Sequence, residues 1–392
     1  MMIDESKSEV EDGGDQMGDL IPFGIACFHF GIAKEPPFRY SNQLYITELN
    51  KVLASIPNIE KISITDIDIS TSPQDISEKI PDLCEEGGFF PNLFSGKIEF
   101  ILRIPRRIQQ QTMPFINLDT GAEQFKILIN YFYHMPVTFV VPLDPAEECS
   151  PANAVIVVRK FLENQFLNIK SEYIKFEYLG PSPFHAECYI KPSIRPDRST
   201  PGVTSLNITT EMGYDEIIFD YDTQIFKNEQ NAEACIFKKI IPELAFFYGI
   251  QRMRVTKLRK WEQIEELLDN IIPKNIKKDN LERLREFISY SGKIKKLFVA
   301  IAIFEKDLIF IKEEILNDYK DIYSDRWDSY FQDFIDKAMK EDETYPTNQL
   351  IQLLNYLESN RAKNMELLTM FFSAIVGGII GALITLFFTY QQ

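Results

Sequence analysis

The stretch LLTMFFSAIVGGIIGALITLFF, residues 367–388, decides how this chain is organised. Its 22 residues include no charged residue and no proline. An α-helix rises about 1.5 Å per residue, so this stretch would extend about 33 Å, and the hydrocarbon core of a bilayer is about 30 Å thick. The stretch therefore predicts one C-terminal transmembrane helix, assigned to residues 367–390. The alternative for such a run is a helix buried in a protein core.

The residues that flank this stretch predict its orientation. Arg361 and Lys363 precede it, whereas Tyr390, Gln391 and Gln392 follow it without a charged side chain. Basic residues favour the cytoplasmic side of a membrane. The sequence thus predicts a single-pass, tail-anchored topology with the N-terminal domain in the cytoplasm. A bacterial inner membrane and a eukaryotic secretory membrane both fit this prediction.

Small residues recur along the predicted span at helical spacing. Such stripes let two membrane helices approach closely, so they predict homo-oligomerisation through the span. The alternative is that these residues reflect only the usual composition of membrane helices, in which glycine is common. The predicted interface comprises Ser373, Gly377, Gly381 and Thr385 on one stripe, and Ala374, Gly378 and Ala382 on the next.

The composition of the whole chain limits its class. Of its 392 residues, 45% are hydrophobic, and the formal net charge is −16, so a general nucleic-acid-binding surface is not expected. The five cysteines are widely spaced and form no Cys-x-x-Cys pair, which is typical of a reducing compartment. Residues 1–19 are rich in carboxylates and predict a disordered acidic tail in place of a signal peptide.

Residues 20–226 are predicted to form a mixed-sheet domain. Short apolar or alternating runs recur there between turn residues, which is typical of β-strands. Helical patterns interrupt them at 41–54 and again from Ser150, where Ser150 and Pro151 are favourable helix-start residues. The β-α-β beginning favours an α/β or α+β fold with helices packed on the sheet. The eight predicted strands are 24–33, 60–69, 97–104, 125–133, 137–143, 173–179, 186–191 and 215–222.

Residues 227–366 are predicted to form a helical, coiled-coil-like stalk. A heptad repeat of apolar residues indicates a seam that packs against other helices. The apolar run 297–304 predicts a helix enclosed by several partners. Pro346 interrupts the pattern before a final helix that continues into the span. The predicted seam comprises Phe287, Ile294, Ile301, Leu308, Ile315 and Ile322, with Tyr290, Leu297, Phe304 and Ile311 at the offset position.

Few residues in the chain suggest catalysis. It contains three histidines, and neither a phosphate-binding glycine loop nor a G-x-S-x-G nucleophile elbow occurs. Cys27 and His29 alternate on one face of the first predicted strand, a spacing that could supply two metal ligands. The strand is otherwise apolar, which favours a packed core pair. We therefore predict no catalytic residue, no metal and no cofactor, and favour a non-enzymatic function.

Two carboxylate pairs occur at alternate positions of predicted strands. They are Asp66 with Asp68 and Asp220 with Asp222. Such pairs could hold a divalent cation or act as acid and base. Both pairs end apolar runs, so solvated strand ends are the favoured interpretation.

Three basic clusters interrupt the acidic background. The densest, within residues 252–260, could contact anionic lipid headgroups, a nucleotide or an acidic partner surface. The alternative is a solvated segment whose charge is balanced by the carboxylates of residues 261–269. The clusters are Arg103, Arg106 and Arg107; Arg195 and Arg198; and Arg252, Arg254, Lys257, Arg259 and Lys260.

The segment NRAKNMELLTMFF, residues 360–372, resembles the start of the first membrane helix of CorA-type divalent-cation channels. That family combines a cytosolic α/β domain, a long stalk helix and oligomeric membrane packing, so the resemblance implies an oligomeric pore. The chain departs from the family because one span is predicted where the family has two. In the family a Gly-Met-Asn signature follows a tyrosine at this place, whereas here Tyr390 is followed by Gln391 and Gln392.

These patterns predict a membrane-anchored cytosolic protein that self-associates through its stalk and span and acts as a sensor, adaptor or scaffold. Its expected partners are membrane lipid, further copies of the chain, and a protein or small ligand of the sheet domain. One alternative is an oligomeric ion-conducting pore, in which Thr369, Ser373 and Thr385 supply polar groups and Ile379 with Ile380 gates by dewetting. A second alternative is a membrane-tethered enzyme of unfamiliar type.

Overall fold

The chain divides into two compact units in a computed structural model. One unit comprises 1–252 with 318–340, and the other comprises 253–317 with 341–392. The predicted tail, Arg195 and Arg198 lie outside the described residues, and the boundary predicted near residue 226 stays a prediction. The structure describes residues 20–33, 41–69, 94–112, 120–146, 149–179, 186–193, 206–211, 214–271, 280–324, 329–341 and 344–390.

Ten strands are described, all in the first unit. They are β1 (Ile21–Ala26), β2 (Phe28–Ile32), β3 (Ile59–Asp68), β4 (Ser95–Arg103), β5 (Gln124–Phe132), β6 (Met135–Pro142), β7 (Ile174–Tyr178), β8 (Ala186–Ser193), β9 (Leu206–Glu211) and β10 (Tyr214–Asp222). Eight of them form one sheet in the order β3-β4-β5-β6-β1-β8-β10-β9. Strands β8 and β10 are parallel, and the other neighbours are antiparallel. Strands β2 and β7 form a separate antiparallel pair.

The mixed sheet with packed helices confirms the predicted N-terminal sheet domain, and its class is α+β. The single strand predicted over 24–33 is wrong in one respect, because Cys27 separates β1 from β2. The two strands differ in partners, since β1 pairs with β6 and β8 whereas β2 pairs with β7. Strand β9 was not predicted, because its sequence LNITTE contains only two apolar residues.

Seven helices are described. They are α1 (Asn42–Ser55), α2 (Arg106–Thr112), α3 (Pro151–Ile169), α4 (Glu229–Asp269), α5 (Asn280–Tyr323), α6 (Gln332–Lys340) and α7 (Thr347–Tyr390). The first and third begin as predicted. The Ser41 hydroxyl accepts a hydrogen bond from the Leu44 amide at 3.1 Å, and Ser150 accepts one from Asn153 at 3.3 Å. Each serine thereby satisfies an amide that the first helical turn leaves without a partner.

Both faces of the large sheet are covered within the first unit. On one face, Phe100 of β4 and Val140 of β6 form a buried core with residues of α1 and α3. Successive side chains of a strand point to opposite faces, so Phe139, which precedes Val140, lies on the other face, as does Phe23 of the neighbouring strand β1. There the ring of Phe23 lies 5.1 Å from that of Phe237 on α4, and Phe237 stacks on Phe139 at 4.0 Å. The sheet is thus enclosed between helices.

The second unit is a cluster of helices. Trp261 and Ile264 of α4 and Leu354 of α7 pack around the buried side of α5. The seam residues on that side are Ile294, Leu297, Ile301 and Phe304, each at most 2% exposed. Their partners within this chain are therefore α4 and α7.

Within this chain, one prediction about α5 is not met. The apolar run 297–304 is not enclosed on every side, because the side chain of Val299 is 50% exposed and that of Ile303 is 46% exposed. The reason is geometric, since the core of the second unit covers only one side of this helix.

Helix α7 is continuous from Thr347 to Tyr390, as predicted for this part of the chain. Within the part of the chain that the structure describes, no helix combines the length and the apolar character needed to cross a membrane. Side chains that fall outside the described residues are those of Arg361, Asn364, Leu367, Leu368, Phe371, Phe372 and residues 381–390.

Candidate functional site

Buried titratable side chains form a line where β1 gives way to β2. His29 on β2 is fully buried, and its Nε2 lies 3.3 Å from Glu177 Oε2 on β7. Its Nδ1 lies 3.4 Å from the Tyr131 hydroxyl on β5. The line therefore runs from carboxylate to imidazole to phenol. This order is one in which a carboxylate can orient an imidazole toward a third group.

The register of the small β2–β7 pair positions the carboxylate. His29 lies directly opposite Glu177, and Gly31 lies opposite Lys175. Lys175 Nζ is 2.9 Å from the second oxygen of Glu177. A Cβ atom on Gly31 would lie only 2.5 Å from Glu177 Oε2 and 3.2 Å from His29 Cε1. Glycine at this position is therefore what lets the carboxylate approach the imidazole.

The inner end of the line consists of two tyrosines. The Tyr45 hydroxyl on α1 donates a hydrogen bond to the Phe30 carbonyl oxygen at 2.6 Å. Burial raises the pKa of Tyr45 and of Tyr131 above the ordinary value for a phenol. Both phenols therefore keep their protons at neutral pH.

Burial also determines the charge state of His29. It lowers the pKa of His29, and the neighbouring Glu177 carboxylate offsets only part of this effect. For Glu177, burial by itself would raise the pKa, but the contacts with His29 and Lys175 outweigh burial and bring it below its ordinary value. The line at neutral pH therefore holds a neutral imidazole beside a charged carboxylate.

The imidazole and the two phenols of the line are closed to solvent, whereas the Glu177 side chain is 15% exposed. His29 and Tyr45 are fully buried and Tyr131 is 5% exposed, so a substrate cannot reach these groups in this conformation. Burial also raises the pKa of the adjacent Cys27 thiol, which disfavours the thiolate that a metal would require. The described residues contain no group of three or more histidine, cysteine or acidic side chains placed to hold a metal ion. The geometry therefore favours a structural role in joining β2, β5 and β7.

We expect His29 to make the folded state sensitive to mild acid. Its pKa is lowered in the folded state, so below the ordinary value of 6.5 the unfolded chain binds protons first and stability falls as pH falls. His29→Gln removes this titration and keeps hydrogen-bonding groups. Between about pH 7.5 and about pH 5.5 the melting temperature of the wild type should therefore fall by about 2 °C or more beyond that of the variant. Equal falls in the two proteins would contradict this expectation.

The two carboxylate pairs do not form similar sites. Asp66 has a positive φ of 54°, and the strand register shifts between Thr65 and Asp68, so the regular alternation assumed for this pair is broken. Asp222 accepts a hydrogen bond from the Gln224 amide at 2.7 Å and so stabilises the turn after β10. Its predicted partner Asp220 is 8% exposed.

The densest basic cluster is divided between the two units. Arg252 belongs to the first unit, where its charge helps to lower the pKa of His29. In the second unit, Arg254 donates a hydrogen bond to the Glu341 carbonyl oxygen at 3.1 Å, and Lys260 lies 2.6 Å from the Asp307 carboxylate.

The Glu341 and Asp307 carboxylates near these two cations are distant from them in sequence. Of the remaining members, Lys257 is 8% exposed and Arg259 is exposed. Contact of the cluster with an anion or lipid stays a prediction.

Helix α7 exposes apolar side chains along the predicted span. Met370 is 58% exposed, Val376 is 53% exposed and Ile379 is 55% exposed. Cβ atoms built on Gly377 and Gly378 would meet no atom of the described structure within 4 Å.

The predicted oligomer interface is therefore open where it is described. Ser373 and Ala374 are also exposed, whereas the side-chain positions of Gly381, Ala382 and Thr385 lie outside the described residues. The Thr369 hydroxyl, one of the polar groups predicted for a pore, donates to the Met365 carbonyl oxygen of its own helix at 2.8 Å.

A buried carboxylate on α4 was missed by sequence reasoning. Glu243 is fully buried and accepts hydrogen bonds from the amides of Phe331 at 2.7 Å and Tyr330 at 3.1 Å, just before α6. It also accepts one from the Tyr323 hydroxyl at 3.3 Å. The signal was present, because Glu243 is the one charged residue in the run IIPELAFFYGI, residues 240–250. A lone carboxylate in an apolar helix indicates a buried polar partner.

Comparisons with known proteins assign no family to the chain. Searches against protein-family models, curated proteins and solved structures give no significant match. The surfaces and contacts described above are therefore the basis for a functional proposal.

Proposed function

We propose that the protein is held at a membrane by the C-terminal part of α7, associates with further copies of itself, and presents its sheet domain in the cytosol as a sensor, adaptor or scaffold. The observation that carries this proposal is the exposed apolar surface of α7. The helix contains no charged residue from 367 to 390 and exposes Val376, Ile379 and Ile380 by about half. Apolar area exposed to water costs about 25 cal/mol per Å², so this surface favours a lipid or helical environment.

The continuity of α7 supports the anchoring role. Leu350 and Leu354, at the start of the helix, are buried in the core of the second unit. The same helix continues without a break to Tyr390. A continuous helix would hold that unit at a fixed distance from the membrane and would transmit a rotation or tilt between them.

Self-association through α7 is supported by its small residues. Ser373, Ala374, Gly377 and Gly378 present little side-chain volume, and tight backbone contact with another helix is the use that such residues serve in a bilayer. A non-catalytic role is supported by the burial of His29, Tyr45 and Tyr131, because a substrate cannot reach these side chains. The number of copies in the assembly distinguishes this proposal from the ion-conducting pore, because a pore lined by single helices needs a ring of several copies.

Insertion of charge into the span tests the anchor. We expect the wild-type protein to resist alkaline carbonate extraction and to float with membranes. Val376→Arg with Ile380→Arg places two guanidinium groups on one face near the middle of the span, where each costs about 3 kcal/mol of insertion free energy. The membrane-bound fraction should then fall about tenfold or more.

The matched control carries the same charge on the same helix outside the span. Gln352→Arg with Tyr356→Arg changes exposed positions near the start of α7 and should leave the membrane-bound fraction unchanged. Release of the wild type by carbonate would overturn the proposal. Equal retention of the two arginine variants would do the same.

A further inference from the structure

Helix α5 has a second seam, of four apolar and three charged residues, on the side away from the core of the second unit. Its positions alternate in spacing between four and three residues, as in a coiled coil. We call this set the outer seam. It comprises Lys295, Val299, Ala302, Lys306, Ile309, Glu313 and Leu316.

The outer seam is exposed where the inner seam is buried. A helix turns about 100° per residue, so the outer seam lies about 130° around α5 from the buried residues Ile294 to Phe304. Val299 is 50% exposed, Ile309 is 63% exposed and Leu316 is 42% exposed. Ile303 and Phe310 flank the seam and are also about half exposed. An exposed apolar stripe of this length marks an interaction surface.

We propose that the outer seam of α5 packs against the outer seam of a second copy in antiparallel orientation. The charges in the seam select both the partner and the direction. A parallel pair would place Lys295, Lys306 and Glu313 each opposite its own copy, and like charges in contact disfavour that arrangement. An antiparallel pair centred on residue 304 places Lys295 opposite Glu313, Val299 opposite Ile309, and Ala302 opposite Lys306.

Two-fold symmetry doubles each of these contacts. A two-fold interface uses the same surface on both copies, so a surface with a cation near one end and an anion near the other is complementary to itself. The apolar layer of Val299 with Ile309 then lies between the ion pair and the symmetry axis. A bilayer surface would not satisfy the Glu313 carboxylate, which argues for a second copy as the occupant.

This antiparallel α5 contact adds a second interface to the self-association in the proposed function, and it rests on the proposed function only for that self-association. The outer seam lies on α5 and is separate from the small-residue face of α7. Flotation reports on the anchor, whereas contacts between α5 helices are measured on full-length protein released in mild detergent. Failure of one proposal is therefore distinguishable from failure of the other.

The contact is captured by a benzophenone amino acid introduced at Ile309. Irradiation should join it to the peptide that contains Val299 of another copy, and mixing ¹⁵N-labelled with unlabelled protein identifies the crosslink as intermolecular. Within one helix these two positions are about 15 Å apart, too far for the same product to form internally. Absence of an intermolecular crosslink to this peptide would overturn the inference.

Charge reversal tests the register. Lys295→Glu should lower the yield of this crosslink about tenfold or more, because both symmetric contacts then join two carboxylates. Glu313→Lys should do the same. The double variant, and an equimolar mixture of the two single variants, should recover the yield because opposite charges face each other again. Lys312→Glu, an exposed position outside the seam, should have no effect.

These outcomes separate the antiparallel register from other pairings. In a parallel pair each single variant would only exchange one like-charge contact for another, so neither would weaken the association. Singles that behave as the wild type, or a double variant that stays as weak as the singles, would overturn the antiparallel assignment.

Discussion

Replacing Glu243 by alanine is expected to lower the free energy of unfolding of the first unit by about 3 kcal/mol or more. The carboxylate is fully buried and accepts the amide hydrogens of Tyr330 and Phe331. Alanine removes the acceptor of both of these hydrogen bonds. It also removes a negative charge from the start of α6, where the helix dipole favours an anion.

The loss should be concentrated in α6. Hydrogen exchange measured by mass spectrometry should show that residues 331–340 lose protection before the sheet does, because this segment is joined to α4 through Glu243. Glu243→Gln keeps one carbonyl oxygen and should cost about 1–2 kcal/mol. Tyr323→Phe removes only the longest of the three hydrogen bonds and should cost less than either. If Glu243→Ala and Tyr323→Phe gave the same hydrogen-exchange protection of residues 331–340, the anchoring of α6 by Glu243 would be contradicted.

Gly24→Val is expected to destabilise the first unit by about 3 kcal/mol, measured as a fall in melting temperature. Gly24 lies on β1 beneath the start of α3. A Cβ atom there would overlap the Val155 Cγ2 atom and would lie 2.6 Å from the Pro151 carbonyl oxygen. The Pro151 oxygen belongs to the backbone of α3, so relief requires a shift of the helix instead of a rotamer change.

Gly249→Ala is the matched control for this substitution. It lies in α4, where an added Cβ would meet no described atom within 4 Å. Alanine favours a helix over glycine by about 0.5–1 kcal/mol, so this variant should be neutral or slightly more stable. Equal melting temperatures for the Gly24→Val and Gly249→Ala proteins would contradict the close packing of α3 on β1.

Much of the sheet domain could be predicted because its strands and helix starts are local signals. The alternation in KIEFILRI identifies β4, and Ser150 with Pro151 identifies the start of α3. The separation of β1 from β2 at Cys27 could not be predicted, because it depends on which distant strands each segment joins. Strand β9 pairs with β10 beside it, and its own apolar pattern is short, with only two apolar residues.

The contacts of the candidate sites depend on register and tertiary packing. Glu177 lies opposite His29 only because β7 pairs with β2 in one particular register, and the two residues are far apart in sequence. The partners of Arg254 and Lys260 are likewise distant in sequence, at Glu341 and Asp307. The heptad of α5 predicted a packed seam, but hydrophobic periodicity alone could not specify which helices would cover it.

The two seams of α5 make this helix unusually intolerant of changes in length. Between Ile294 and Leu316, a single inserted or deleted residue would rotate everything after it by about 100° and misplace both seams at once. An insertion of seven residues would nearly preserve both phases, since seven residues complete about two turns. Natural length variation in this part of the chain should therefore occur in whole heptads, whereas the segments that join the helices can vary residue by residue.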